Sequence, residues 1–492
     1  MNTANNLYQK VYGNSYFDSV MLMRLSTALG NLPGVQKVSV MMGTPRNLAL
    51  MSEQGLWDSQ ELKVRAIDMC VAVKYESEAA LPAVQSAITE FVHNGSMGAV
   101  KGESKGTVKQ SVRSWAEGSQ SLSDPKVAVI SVPGPFAAVE AKRALDSGFH
   151  VFLFSDNVAI KDEVLLKRQA QSQGLIVMGP DCGTSMIGGI HFGFVNHLNR
   201  GSLGIVAASG TGAQEVSSAF SRAGVGISHI IGTGGRDLSA EVGGISALQG
   251  LRWLGNDELT EKIVLISKPP DQGVAKKLIQ ELKKMGKPTA VLFLGSSLSE
   301  EDANVKICST LGDVIAWGTG SDVERIPELP KAKAPYIRAL YVGGTFAHQA
   351  SILLGSVSHS SAPKPWLENN HAVVDFGDDK YTLGRPHPMI DGSFRAEAIE
   401  EALLSKNTGV LVCDVVLGDG AEDNPARRVV DAITEANKSR RDTAIPVVIA
   451  HVVGTSLDSQ GYDNQVELLK DVGVHVTGTS TAAVRAALNS VN

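Results

Sequence analysis

Hydrophobic and polar positions along the chain change rhythm twice. Over the first hundred residues, apolar positions from Tyr16 to Leu29 recur at helical spacing, Pro33-Gly34 makes a turn, and Val35 to Met42 alternates as a strand does. Met69 to Val73 predicts a second strand and Leu81 to Val92 a second helix, so residues 1–105 read as a small α+β domain. From Asn94 to Ser123 the apolar rhythm gives way to Gly, Ser and Lys, which predicts a surface excursion, with 106–124 as a linker.

From Pro125 short apolar runs alternate with amphipathic segments. Val127 to Ser131, Val151 to Phe154 and Ile176 to Met178 predict strands, with helices at Phe136–Ser147 and Lys161–Gln173 between them. A second block begins at Ser202. It has strands at 203–207, 227–231, 263–267 and 289–294, with helices at 214–222, 243–254 and 274–284. Ile326 to Pro335 is rich in proline and charge and reads as a linker. Beyond it come strands at 338–342, 372–376, 410–416, 446–452 and 474–477. Uninterrupted apolar strands separated by helices are covered on both faces, so the expected fold is α/β with doubly wound parallel sheets and ligand sites at the carboxyl ends of strands. The domains are then a Rossmann-like 125–200, a flavodoxin-like 201–325 and a second flavodoxin-like 336–492.

Composition narrows the function classes. The 492 residues are 43% hydrophobic and 20% charged, which suits globular domains rather than disorder. A net charge of −6 leaves no footprint for nucleic acid or an anionic membrane. No apolar run reaches the ~18 residues of a spanning helix. The first residues, Met1-Asn2-Thr3-Ala4-Asn5-Asn6, carry neither a basic nor an apolar leader region, so the protein is expected in the cytoplasm. Cys70, Cys182, Cys308 and Cys413 are far apart, which predicts reduced thiols and no disulfide framework or cysteine-based structural zinc site; whether a metal sits near Asp378, Asp379 and Asp419 is left open.

Several turns carry candidate chemistry. Gly204 to Gly212 is a strand running into Ser209-Gly210-Thr211-Gly212 and then a helix. Such a start offers backbone N–H groups and the positive helix end to a phosphate or carboxylate, although a Ser-capped structural turn has the same appearance. It is no Walker loop, because no Gly-Lys-Ser/Thr follows. Ile231 to Asp237 sets Arg236 beside Gly234 and Gly235, a combination suited to anions. Leu417 to Pro425 places Gly418 and Gly420 after a buried strand, with Asn424 as expected N-cap before Pro425. Its acidic Asp419, Glu422 and Asp423 argue against a bare anion there, unless some turn away or bind a cation. In the third block Arg385, His387 and Asp391 share a loop stiffened by Pro386 and Pro388. They are the candidate catalytic cluster, the alternative being a proline-rich loop with an incidental histidine.

These residues resemble a known family. From about 125 to 492 the chain is similar to the succinyl-CoA synthetase superfamily, on Met178 to Gly183, Gly204 to Gly212 and Gly232 to Asp237 for its α subunit, and on 410–425 for its β subunit. Over the whole length it resembles the FdrA family, on Tyr16 to Val20, Val40 to Pro45, Phe154 to Val158, Ser267 to Pro270 and Gly384 to Asp391. The chain departs from the synthetases in two ways. After Leu294 it reads Gly-Ser-Ser-Leu-Ser-Glu, where they carry a phosphorylated histidine. The turn after the 127–131 strand is Ser131-Val132-Pro133-Gly134-Pro135 in place of a glycine-rich one, and no stretch remains for an ATP-grasp domain.

The resemblance therefore implies one subunit of an oxamate carbamoyltransferase of anaerobic allantoin breakdown, which converts oxalurate and phosphate into oxamate and carbamoyl phosphate. Phosphate would be the co-substrate, held between the helix starts at 209–212 and 418–425. Arg385 would grip a small anionic substrate, and His387, near its ordinary pKa, would move a proton. Partner subunits and an oligomer are expected. The alternatives are an acyl-CoA synthetase or CoA/phosphate transferase, in which CoA binds and partners supply the missing parts, and a non-catalytic scaffold.

Overall fold

The computed structural model describes residues 6–15, 17, 19–58, 64–94, 112, 114–298, 302–321, 326–355, 363–382, 386–440 and 446–491. Two compact units result: 1–111 together with 379–391, and 112–378 together with 392–492.

The first unit runs β1 (Leu7–Tyr12), α1 (Ser19–Gly30), β2 (Val35–Met42), α2 (Pro45–Glu53), β3 (Met69–Tyr75) and α3 (Leu81–Asn94). Its sheet has the order β1-β3-β2, antiparallel throughout. The central strand explains why the sequence there shows no alternation. Met69, Val71 and Val73 pack with Leu25, Leu29, Ile88 and Phe91 on one face, and Cys70 and Ala72 pack with Met51, Leu56 and Trp57 on the other. The sequence pattern misses β1, short and half-buried, and α2, which Thr44 caps by accepting the Asn47 N–H.

The second unit opens with α4 (Trp115–Ser121), a helix inside the stretch expected as a linker, capped by Ser114. There follow β4 (Val127–Ile130), α5 (Gly134–Asp146), β5 (His150–Leu153), α6 (Ile160–Ser172) and β6 (Val177–Met178), a parallel three-stranded sheet ordered β4-β5-β6. A hairpin of β7 (Thr184–Ile187) and β8 (Ile190–Gly193) leaves this sheet and pairs antiparallel with β10 of the next. That sheet is built from β9 (Arg200–Ala207), α7 (Gly210–Arg222), β10 (Ile227–Gly232), α8 (Ile245–Asn256), β11 (Lys262–Ser267), α9 (Gln272–Met285), β12 (Thr289–Phe293), β13 (Val305–Cys308) and α10 (Leu311–Thr319). Its order is β13-β12-β11-β9-β10-β7-β8, parallel apart from the hairpin.

The last sheet follows β14 (Tyr336–Tyr341), α11 (Gly344–Leu354), β15 (Ala372–Asp375), α13 (Ser393–Leu404), β16 (Thr408–Val416), α14 (Pro425–Ser439), β17 (Val447–Val453), α15 (Tyr462–Asp471), β18 (His475–Thr477) and α16 (Ser480–Val491), while α12 (Asp379–Thr382) between β15 and α13 belongs to the first unit. Its order β15-β14-β16-β17-β18 is parallel throughout, and all nine residues of β16 are buried. The fold is thus mixed α/β with parallel sheets, as the alternation predicts.

Helices α7, α10, α11 and α16 make a shared layer between the two larger sheets. Buried side chains knit it: Glu215 accepts the Ser480 N–H at 2.7 Å and its hydroxyl at 2.6 Å, and Gln349 accepts the Leu311 N–H at 2.8 Å while donating to Ser480 Oγ at 2.9 Å. Such buried polar links hold only in one registry, so they fix where the first turns of α7 and α11 meet.

Candidate active site at two adjoining helix starts

Strand β9 delivers its chain to Ser209, whose backbone is extended and whose Oγ accepts the Gly212 N–H at 3.2 Å. The N–H groups of Gly210 and Thr211 have no intrahelical acceptor, and Gly210 is exposed. Strand β14 delivers the second start in the same way. Its N-cap, Gly343, has no capping side chain, and the N–H groups of Gly344 and Thr345 open the helix. Asp414, buried in β16, accepts the N–H groups of Val342 and Gly343 at 3.0 Å each and is paired with Arg395 Nη1 at 2.6 Å. That buried pair holds the 342–343 turn in place.

The two starts lie side by side. Ser209 Oγ is 2.5 Å from Thr345 Oγ1, and a Cβ on Gly343 would stand 2.9 Å from Thr211 Oγ1. A Cβ on Gly344 would stand 2.5 Å from Asp375 Oδ2 and 3.7 Å from Lys268 Nζ, so glycine there admits a carboxylate and an ammonium from the ends of β15 and β11. Burial pushes the Asp375 carboxyl up to about 6, against the opposing pull of the Gly377 N–H and Lys268. His348, one turn along α11, has its Nε2 buried with no hydrogen-bond partner among the described residues. Burial, and then the Lys268 charge, lower its pKa, so the imidazole is neutral near pH 7. Four open N–H groups, an exposed ammonium, a carboxyl that titrates near neutrality and a neutral imidazole thus meet at strand carboxyl ends. This set can hold a small anion and exchange a proton.

Of the residues expected from sequence, Ser209, Gly210, Thr211 and Gly212 are in this group. At the 418–424 turn two donors are taken, Gly418 N–H by Gln460 Oε1 at 3.2 Å and Asp419 N–H by Val195 O at 2.8 Å, and the Asn424 side chain makes no capping bond. Gly420, with φ of +81°, packs on Phe194. In the 232–237 turn Gly235 is exposed with open space where a Cβ would stand, while Gly234 and the Arg236 side chain are engaged. Gly234 closes on Pro180 O, Gly235 is followed by Arg236, and Arg236 Nη2 donates to Val158 O at 2.8 Å and sits at ion-pair distance, 2.9 Å, from Glu163. Beneath it Lys167 is fully buried between Glu163 and Asp237, at 2.9 and 2.7 Å.

Arg385 lies outside the described residues. His387 and Asp391 belong to the first unit. The Asp391 N–H donates to His387 O, and His387 Nδ1 accepts the Met389 N–H at 3.2 Å. Burial lowers His387 to about 4, which corrects the expectation of an ordinary histidine: it is neutral across the physiological range. Sequence reasoning missed Lys268, Asp375, His348 and the 343–345 start. The available signal was a charged residue at the carboxyl end of each of two buried strands, Lys268 after β11 and Asp375 closing β15.

Residues 340–489 match the CoA-ligase family, and residues 5–108 match a family described as AllF, heavy metal-associated domain. The first unit's donor set does not fit a thiolate metal site. Its one cysteine, Cys70, is buried in β3, and burial pushes its thiol up to about 12. The chain is 34% identical over 497 residues to the uncharacterized protein YahF of Escherichia coli (strain K12), covering 95% of each. It is 28% identical over 234 residues to a succinate–CoA ligase [ADP-forming] subunit alpha 2 of Archaeoglobus fulgidus, covering 46% of this chain and 75% of that one. A solved acetyl-coenzyme A synthetase 1 of Ca. Korarchaeum cryptofilum, in complex with phosphate and ADP, overlays with a TM-score of 0.33 at 16% identity, covering 74% of this chain and 82% of that one. On the full-length match to YahF and the CoA-ligase match of its last sheet, the chain belongs to the YahF family of succinyl-CoA synthetase-like proteins.

Proposed function

We propose that the chain binds phosphate where α7 and α11 begin, and uses it in carbamoyl transfer as one subunit of an oxamate carbamoyltransferase. The observation that carries this reading is the pairing of the two helix starts, joined at Ser209 and Thr345, with Lys268 beside Gly344. Two helix dipoles and one ammonium would neutralise an inorganic phosphate without any nucleotide. A phosphate oxygen would attack the carbamoyl carbon of oxalurate. The same N–H groups would receive the charge growing on its carbonyl oxygen. The bond from that carbon to the oxamate nitrogen would break, and the nitrogen would take a proton. Asp375, with its carboxyl near 6, would give it. The family description of the first unit as an AllF domain, and the resemblance to the FdrA family, support the allantoin-degrading context.

The second reading, an acyl-CoA synthetase whose partners supply nucleotide and CoA chemistry, is favoured by the CoA-ligase match of 340–489. The deciding experiment assembles the chain with its co-purifying subunits and follows oxalurate consumption with and without phosphate. Phosphate-dependent carbamoyl phosphate release supports the carbamoyltransferase. Nucleotide-dependent acyl-CoA formation with no oxalurate turnover supports the synthetase.

A further inference from the structure

Away from the two helix starts, three side chains from distant parts of the sequence converge. His191 lies in β8, His197 lies four residues beyond that strand, and Asp419 follows β16, 222 residues after His197. His191 Nδ1 is 2.7 Å from Asp419 Oδ2, and His197 Nε2 is 3.0 Å from Asp419 Oδ1. The imidazole rings stand 4.8 Å apart, tilted by 68°. One ligand atom from each residue lies within 4.8 Å of the others. A divalent ion held at ~2.0–2.2 Å from nitrogen and oxygen donors therefore needs only side-chain rotation to seat itself. The side chains are 20%, 45% and 45% exposed, so an ion can enter and keep water.

The backbones behind these side chains are rigidly joined. Asp419 N–H donates to Val195 O at 2.8 Å, Asn196 Nδ2 donates to Leu417 O at 2.8 Å, and His197 N–H donates to Asp458 Oδ1 at 2.7 Å. Asn196 Nδ2 also reaches Asp458 Oδ2, at 3.0 Å. The positive φ at Gly418 and Gly420 presses the Asp419 turn against Val195 and Phe194. A ligand set on backbones locked to one another loses little entropy on binding.

We propose that His191, His197 and Asp419 form a divalent transition-metal site that staples the β7–β8 hairpin to the turn leaving β16. Two imidazole nitrogens and one carboxylate suit zinc and its first-row neighbours, not magnesium or calcium. Three protein ligands leave coordination positions for water or a small anion, so the ion is not sealed in as a four-ligand structural zinc would be. The proposal stands independently of the phosphate site.

The test uses the full chain, freed of metal with a chelator and titrated with zinc chloride or cobalt chloride alone. The expected result is one ion per chain, visible cobalt d–d bands, and a melting temperature raised by zinc. His191→Gln and Asp419→Asn should each weaken uptake by more than the ~10–100-fold that follows loss of an outer-shell partner. Asn at 419 keeps a hydrogen-bond acceptor, so its metal-free melting should stay close to wild type, separating ligand loss from misfolding. The proposal is overturned if wild type takes up no ion, or if both variants bind cobalt as tightly as wild type. The triad would then be a histidine–aspartate–histidine hydrogen-bond bridge.

Discussion

The turns at 209–212 and at 418–424 look alike along the chain. Each follows a buried parallel strand, each carries glycines, and each opens a long helix. They differ in what reaches them through space. At 209–212 the only backbone donor that a capping side chain takes is Gly212, and the neighbouring element is another uncapped helix start with a lysine beside it. At 418–424 the donors meet Gln460 and Val195, and the carboxylate of Asp419 meets two histidines. One turn keeps open N–H groups at its helix start. The other has the Gly418 and Asp419 donors engaged and carries an acid. The same local pattern of strand, glycine and helix start thus leaves different donors open, according to the acceptors supplied from elsewhere.

That contrast can be broken or sharpened by substitution. The largest effect is expected from Gly210→Val. A Cβ there meets only Thr184, with Oγ1 nearest at 3.2 Å, so the fold should hold while the methyls cover the open donors. Phosphate-dependent turnover in the assembled complex should fall by roughly 10²–10³, the loss typical of an oxyanion donor. Full turnover with unchanged phosphate dependence would return the turn to a structural role.

Lys268→Met comes next. It removes the ammonium but not the helix starts, and phosphate binding by calorimetry should weaken by about 1.5–3 kcal/mol, as for a lost hydrogen bond to a charged group. Unchanged affinity would mean that the N–H groups act without it. Gly420→Ala probes the other turn. Its φ of +81° and the 2.8 Å approach to Phe194 predict a loss of about 1–2 kcal/mol in chemical denaturation, from strain alone, with phosphate affinity intact. A loss of phosphate binding without a loss of stability would reverse the two assignments.

The remaining effect is a pH trend at Asp375. Its carboxyl is raised in the folded protein to about 6 from 3.8, so the folded state binds the proton more tightly than the unfolded chain. That contribution is complete below pH 3.8 and is lost as pH rises through about 6. Asp375→Asn should flatten this part of the melting-temperature profile. An Asn variant that falls as steeply as wild type between pH 4 and 6 would place the titration on another group.

Much of the architecture is legible locally. Runs such as Val410 to Val416 and Ile263 to Ser267 are apolar without alternation because both faces are covered, and that alone predicts parallel strands. Ser209 is legible as a cap because its partner is three residues away. Helix α4 is hidden in a polar stretch, and strand β1 is too short and too exposed to leave a period. The β7–β8 hairpin reads from sequence as loop because Gly188 and Gly189 interrupt two strands of four residues.

The sequence by itself determined most of the strand–helix alternation and the Ser209 cap, since burial runs and capping act over a few residues. Only the tertiary structure decided which backbone donors stay open and which side chains meet. Gly343 is freed to approach Thr211 because Asp414, 71 residues away, takes its N–H. Asp375 titrates near neutrality because the packed last sheet removes its water. His191 and Asp419 come together across 228 residues. No local rule assigns such partners: a hydrogen bond or a pKa depends on distance in space, and distance in space is set only once the sheets have packed.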